Sequence, residues 1–105
     1  MPVARRRQVN RPSRRARRAL DSARLLDQMV ADHMPLMARL SDEASRHRTA
    51  DFLAEIVLLS QAYRHHAAGW ISRREFERRG EGHLSRIAVI RRRSSLSSAQ
   101  FTERD

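Results

Sequence analysis

The sequence predicts a small all-α domain of three or four helices, and three observations lead to that expectation. The chain has 105 residues, 40% hydrophobic, 32% charged and 5% aromatic, with three glycines and three prolines; this suits one helix-rich domain and offers little material for a sheet. Apolar residues recur at the three-and-four spacing of a helix face over 16–30 and again over 52–63. Residues that start or stop helices, Ser13, Ser41, Gly69 and Ser72, punctuate the chain between those stretches.

Residues 1–12 contain two prolines, four arginines and no acid, with no apolar period, and are expected to form a disordered basic arm. Order is expected from Ser13, a candidate N-cap that follows Pro12. Ala16, Ala19, Leu20, Ala23, Leu26 and Val30 then share one helix face, which Leu25 and Met29 widen, so the first helix is predicted over about 13–33. Arg14, Arg15, Arg17 and Arg18 fall in its first turns, at the positive end of the helix dipole where cations are disfavoured.

Pro35 lacks a backbone donor and biases Met34 away from helix, which predicts a break there. Leu36, Met37 and Leu40 make a short apolar turn, after which Ser41 or Thr49 is expected to cap a second helix. Phe52, Leu53, Ile56, Val57, Leu59 and Tyr63 form the strongest apolar face in the chain, so this helix should be the centre of the core, with Gly69 ending it. Trp70 beside that glycine is expected to act as a lid on the core.

Ser72 and Glu75 have the spacing of a capping box, and Ile71 and Phe76 that of a hydrophobic staple. A third helix is therefore expected from Arg73, stopped within two turns by Gly80 and Gly82. Residues 84–93 suit a short strand or a helical stripe, and helix is preferred because no second strand is available to pair. The domain is thus expected over 13–91, with a polar, disordered tail over 92–105.

Charge is distributed unevenly. The net charge is +10, and residues 1–24 carry nine Arg against Asp21 alone, residues 25–63 three Arg against six acids, and residues 64–93 nine Arg against three Glu. Two basic segments bracket an acidic middle, and a chain that folds back on itself would bring them to one phosphate-attracting surface. All 22 basic residues are Arg; a GC-rich coding sequence would give that residue type, as would a need for bidentate phosphate contacts, but codon bias does not explain the clustering.

These observations point to nucleic acid as partner, DNA ahead of RNA, with phosphate contacts from Arg5, Arg6, Arg7, Arg11, Arg14, Arg15, Arg17, Arg18, Arg91, Arg92 and Arg93. Arg73, Arg74, Arg78 and Arg79 on the short third helix would lie on or in a groove. "AAGWISRREFERR" resembles a helix-turn-helix motif over residues 67–79, which implies a recognition helix beginning at Arg73. The same stretch resembles the SHOCT module through Gly69, Ile71, Ser72, Glu75 and Phe76, which implies a helical hairpin that mediates association. A small core predicts a homodimer, and the apolar faces over Leu20–Val30 and Phe52–Tyr63 offer an alternative role in binding another protein.

Several classes find no support. The chain has no cysteine, and its longest aliphatic run, Ile56–Leu59, is far short of the roughly 20 apolar residues that span a bilayer. An intracellular location without membrane contact is expected. Glu43, His47, Asp51 and Glu55 form one polar stripe on one helix, and a metal site needs ligands converging from two elements, so a solvated face is expected. No nucleophile and base arrangement, phosphate loop or dinucleotide fingerprint occurs, so neither catalysis nor a cofactor is expected.

Overall fold

The computed structural model describes residues 13–103, with side chains as far as Ser94. The arm expected over 1–12 and the side chains from residue 95 onward therefore lie outside the described residues. Within them the chain forms three helices and no strand: α1 (Arg14–Met37), α2 (Glu43–Ala67) and α3 (Arg73–Glu103). The all-α class is as expected, and residues 84–93 are helix.

Each helix end has a local cause. Ser13 has extended backbone, and its Oγ accepts the Ala16 amide at 3.1 Å, starting α1 where expected. The break expected at Pro35 comes later, because α1 runs through the proline to Met37. In the last turn a proline forfeits only its own bond to the carbonyl four residues back, and the helix stops two residues on. Asp42, rather than Ser41 or Thr49, caps α2: its carboxylate accepts the amides of Ala44 and Ser45 and the Ser45 hydroxyl, at 3.4, 3.1 and 2.8 Å. Two oxygens on one side chain satisfy donors that a single hydroxyl would have to share.

Gly69 ends α2 as expected, and its φ of +79° shows why glycine stands there. The Gly69 amide donates to the His66 carbonyl at 3.0 Å and the Trp70 amide to the His65 carbonyl at 2.9 Å, the pair of bonds that defines a Schellman motif. Trp70 is not a core lid, since it is 75% exposed and its ring leans on His65, 5.3 Å between centroids.

Half of the expected capping box is present. Ser72 Oγ accepts the Glu75 amide at 3.0 Å, but the Glu75 carboxylate turns toward Arg78 and Arg79 instead of back to the Ser72 amide. The stop expected at Gly80 and Gly82 is absent, and α3 continues through both. Each glycine costs about 1 kcal/mol relative to alanine in a helix interior. Against that stands a continuous seam at four-three-four-three spacing, Phe76, Gly80, His83, Ile87 and Ile90, every member of it buried or half-buried.

Helix α2 lies between the other two, which do not pack on each other. On one side Ser60 meets α1: its hydroxyl lies 2.6 Å from Asp27 Oδ1 and 3.3 Å from the Ala23 carbonyl, and Arg64 donates to Asp27 Oδ2 at 2.5 Å. Leu53, Ile56 and Ser60 share that face and are buried, as are Ala19 and Ala23 opposite, the latter 0% exposed. On the other side Phe76 packs on Tyr63 and stacks on His66, with centroids 4.9 and 4.7 Å apart, while Glu55 binds His83 and Arg86. Pairing of residue 55 with 83 and of 66 with 76 makes the α3 seam antiparallel, and the five-residue link over 38–42 turns α2 back antiparallel along α1.

The interior is thin. No large side chain among the described residues is fully buried, and at the α1 seam the buried members of the expected face are the small ones, Ala19 and Ala23. Leu25, Met29 and Val57, expected on buried faces, are exposed because each seam is only one narrow stripe wide. The radius of gyration is 18.5 Å with extents of 73 × 28 × 17 Å, against about 12–13 Å for a compact chain of this size.

The two glycine sites have opposite expected outcomes, readable by urea denaturation followed by circular dichroism. A methyl group on Gly80 meets nothing within 4 Å, so Gly80→Ala raises stability by about 0.5–1 kcal/mol. Gly69→Ala lowers it by about 1–2 kcal/mol, because alanine is strained at positive φ.

Candidate nucleic-acid interface

Antiparallel seams on both sides of α2 bring the starts of α1 and α3 to the same end of the molecule, beside the close of α2. At this end α1 is charged against its own dipole. Its first turn contains no acid, and Arg14, Arg15, Arg17 and Arg18 are all exposed and form no ion pair among the described residues. Only Ser13 satisfies an orphan amide there. Four guanidiniums beside the unsatisfied N–H groups of a helix start repel one another, and a bound oxyanion relieves that repulsion.

The start of α3 is partly neutralised. Glu75 is held by Arg78 and Arg79, and Arg73 lies 3.3 Å from Glu77, while Arg74 has no ion pair among the described residues. The hydrogen bond from Arg78 is the main reason the Glu75 carboxyl falls from its usual 4.5 to about 2, outweighing the upward push of desolvation. The two starts together place eight arginines against two carboxylates, Glu75 and Glu77.

Arg14, Arg15, Arg17, Arg18, Arg73, Arg74, Arg78 and Arg79 are thus brought to one end. Arg91, Arg92 and Arg93 are not, since they follow Arg73 by 18 residues or more on the same helix, about 27 Å along its axis. They are exposed and without ion pairs among the described residues. Arg5, Arg6, Arg7 and Arg11 lie outside the described residues.

One polar cluster was not visible in the sequence. His83, 9% exposed, places Nδ1 2.8 Å from Glu55 Oε2, and Arg86 Nε donates to Glu55 Oε1 at 2.7 Å. The carboxylate requires the proton on His83 Nδ1 for a hydrogen bond, so the 3.0 Å approach of Arg86 Nη2 to that nitrogen is a close contact between donors. Burial pushes the Glu55 carboxyl up, but the bonds from His83 and Arg86 outweigh it and leave it below its usual range. Glu55 therefore leaves the solvated stripe in which its four-residue spacing seemed to place it. Of that stripe, His47 and Asp51 form a pair at 4.0 Å. The position of His83 on the Phe76 to Ile90 seam was the available signal, hidden by the two glycines within it.

No family model, curated protein or solved structure matches this chain.

Glu75 and Glu55 have folded-state pKa values below their unfolded ones, as does Asp42, whose carboxylate accepts hydrogen bonds from Ser45. Their contribution to stability is complete above the unfolded values, 4.5 for the glutamates and 3.8 for Asp42, and is lost as pH falls, for Glu75 through about 2. Acid titration of the urea midpoint is expected to show a decline that begins below about pH 4.5, and Glu75→Gln to flatten its lowest part.

Proposed function

We propose that this protein binds nucleic acid, duplex DNA ahead of RNA, through the end where α1 and α3 begin. The observation that carries this reading is the start of α1: four consecutive-turn arginines with no acid, no ion pair among the described residues and an opposing helix dipole. Arg74 and its neighbours on α3 add a second basic point. Two helix-packing distances of 8–10 Å separate the two starts by up to roughly 20 Å, which lets arginine side chains reach phosphates on both sides of a major groove about 12 Å wide. Arg5, Arg6, Arg7 and Arg11 immediately precede this end in the sequence.

The likeness of residues 67–79 to a helix-turn-helix supports the choice of DNA. Because α3 lies alongside α2 from Phe76 to Arg86, it meets a duplex with its first turn. Contact is then chiefly with phosphates, and affinity exceeds sequence selectivity.

A second reading has its own observation. Leu25, 72% exposed, shares an α1 stripe with the exposed Met29 and Leu36, which favours association with another protein or a second copy of this chain. The SHOCT likeness agrees with it, and a homodimer would double the arginine-rich ends.

A mobility-shift titration with a 20-base-pair duplex, repeated on duplex RNA, separates these readings. Affinity is expected to fall steeply with salt, with a log–log slope of about 0.9 per phosphate neutralised. Replacing Arg14, Arg15, Arg17 and Arg18 by Gln should reduce that slope by up to about 3.6. Absence of binding at low salt, or a slope unchanged in the quadruple variant, overturns the proposal. Sedimentation equilibrium with Leu25→Ser and Leu36→Ser tests self-association independently.

A further inference from the structure

At the end opposite the arginine-rich helix starts, the three helices converge on a cleft of about 440 Å³. Its polar wall is built by Arg48 and Thr49 of α2, Arg91 of α3 and His33 of α1, and its apolar wall by Phe52 and Ile90. No acid lines it. Arg91 has no ion pair among the described residues, and Arg48 donates only to the Ser45 hydroxyl, at 3.1 Å. The carboxylate of Asp42, one and a half turns before Arg48, feels its charge but is occupied by Ala44 and Ser45. His33 lies 2.8 Å from the Met29 carbonyl through Nδ1, which must carry the proton for that bond, leaving Nε2 as its open atom.

Two arginines from different helices line one cleft with no carboxylate among its described lining residues, an arrangement that attracts an anion. Structural arginines elsewhere in the molecule show the contrast, since Arg64 and Arg86 are each matched to a carboxylate on the neighbouring helix. The volume falls within the 300–1,000 Å³ range of small-molecule sites, where apolar walls hold the body of a ligand and a few polar groups fix its orientation.

We propose that this cleft binds a small amphipathic anion, an acyl or aryl group carrying one carboxylate or phosphate. The oxyanion bridges Arg48 and Arg91, with the Thr49 hydroxyl as a further donor, and the apolar body lies between Phe52 and Ile90. This assigns Arg91 to a ligand site distinct from the nucleic-acid interface, and the proposal stands whether or not that interface is correct.

Isothermal titration with decanoate, decyl phosphate, decanol and inorganic phosphate tests it on the full chain. Decanoate or decyl phosphate is expected to saturate at one molecule per chain, and the difference between them identifies the preferred headgroup. Decanol and inorganic phosphate should each bind at least tenfold more weakly. Arg48→Gln and Arg91→Gln should each weaken the amphipathic anion about tenfold or more, and Arg24→Gln, which lies outside the cleft, should leave it unchanged. If Arg48→Gln fails to fold by circular dichroism, Arg91→Gln, which alters an exposed side chain without an ion pair, carries the same test. Equal binding of decanol and decanoate, no saturable binding of either anion, or affinity unaffected in Arg91→Gln overturns the proposal.

Discussion

Helix α2 touches both of its neighbours and those neighbours do not pack on each other, so the tertiary structure depends on two faces of a single helix. Each face combines a narrow apolar stripe with one polar clamp. Toward α1 the clamp is Asp27 with Ser60 and Arg64, and toward α3 it is Glu55 with His83 and Arg86. Apolar contact supplies most of the attraction, but it is non-directional and tolerates sliding by a turn. The clamps fix register, because a carboxylate finds its guanidinium or imidazole at one position only. Positions of the basic ends follow from that register.

Electrostatics differs between the two helix starts. The start of α3 is internally balanced, with Ser72 on an orphan amide and Glu75 holding two arginines. The start of α1 has the serine but no acid, and nothing in the described structure offsets its four arginines. Equal numbers of arginine in sequence thus give unequal free charge in space. The cleft at the opposite end repeats the unbalanced pattern on a smaller scale, with Arg48 and Arg91 unmatched where Arg64 and Arg86 are matched. Clustered cations without carboxylates are the features that the fold itself does not use.

Most of the helix framework was legible in the sequence, because Ser13, Gly69 and Ser72 act through bonds to their own near neighbours. The failures share a cause in tertiary structure. Gly80 and Gly82 lower helix propensity, but the seam against α2 overrides them. Leu25 and Val57 fit an apolar pattern, yet which edge of a stripe is covered depends on where the neighbouring helix lies. Asp42 competed with Ser41 for the cap, and the sequence holds both. The arginine clusters were legible, but which of them share one end of the molecule was not, since that requires the register of both seams. The cluster of Glu55 with His83 joins residues 28 apart, and no local pattern announces such a pair.

The absence of any large, fully buried side chain among the described residues has a thermodynamic counterpart. Unfolding heat capacity and denaturant sensitivity both scale with the surface that unfolding exposes. A chain that hides little apolar surface therefore unfolds over a broad temperature range with a shallow stability curve. In such a protein a ligand present at 100 times its dissociation constant adds about 2.7 kcal/mol to the native state, a large share of the whole. Were either proposed site occupied, the ligand would supply a share of native stability that a thicker interior supplies in a more compact chain.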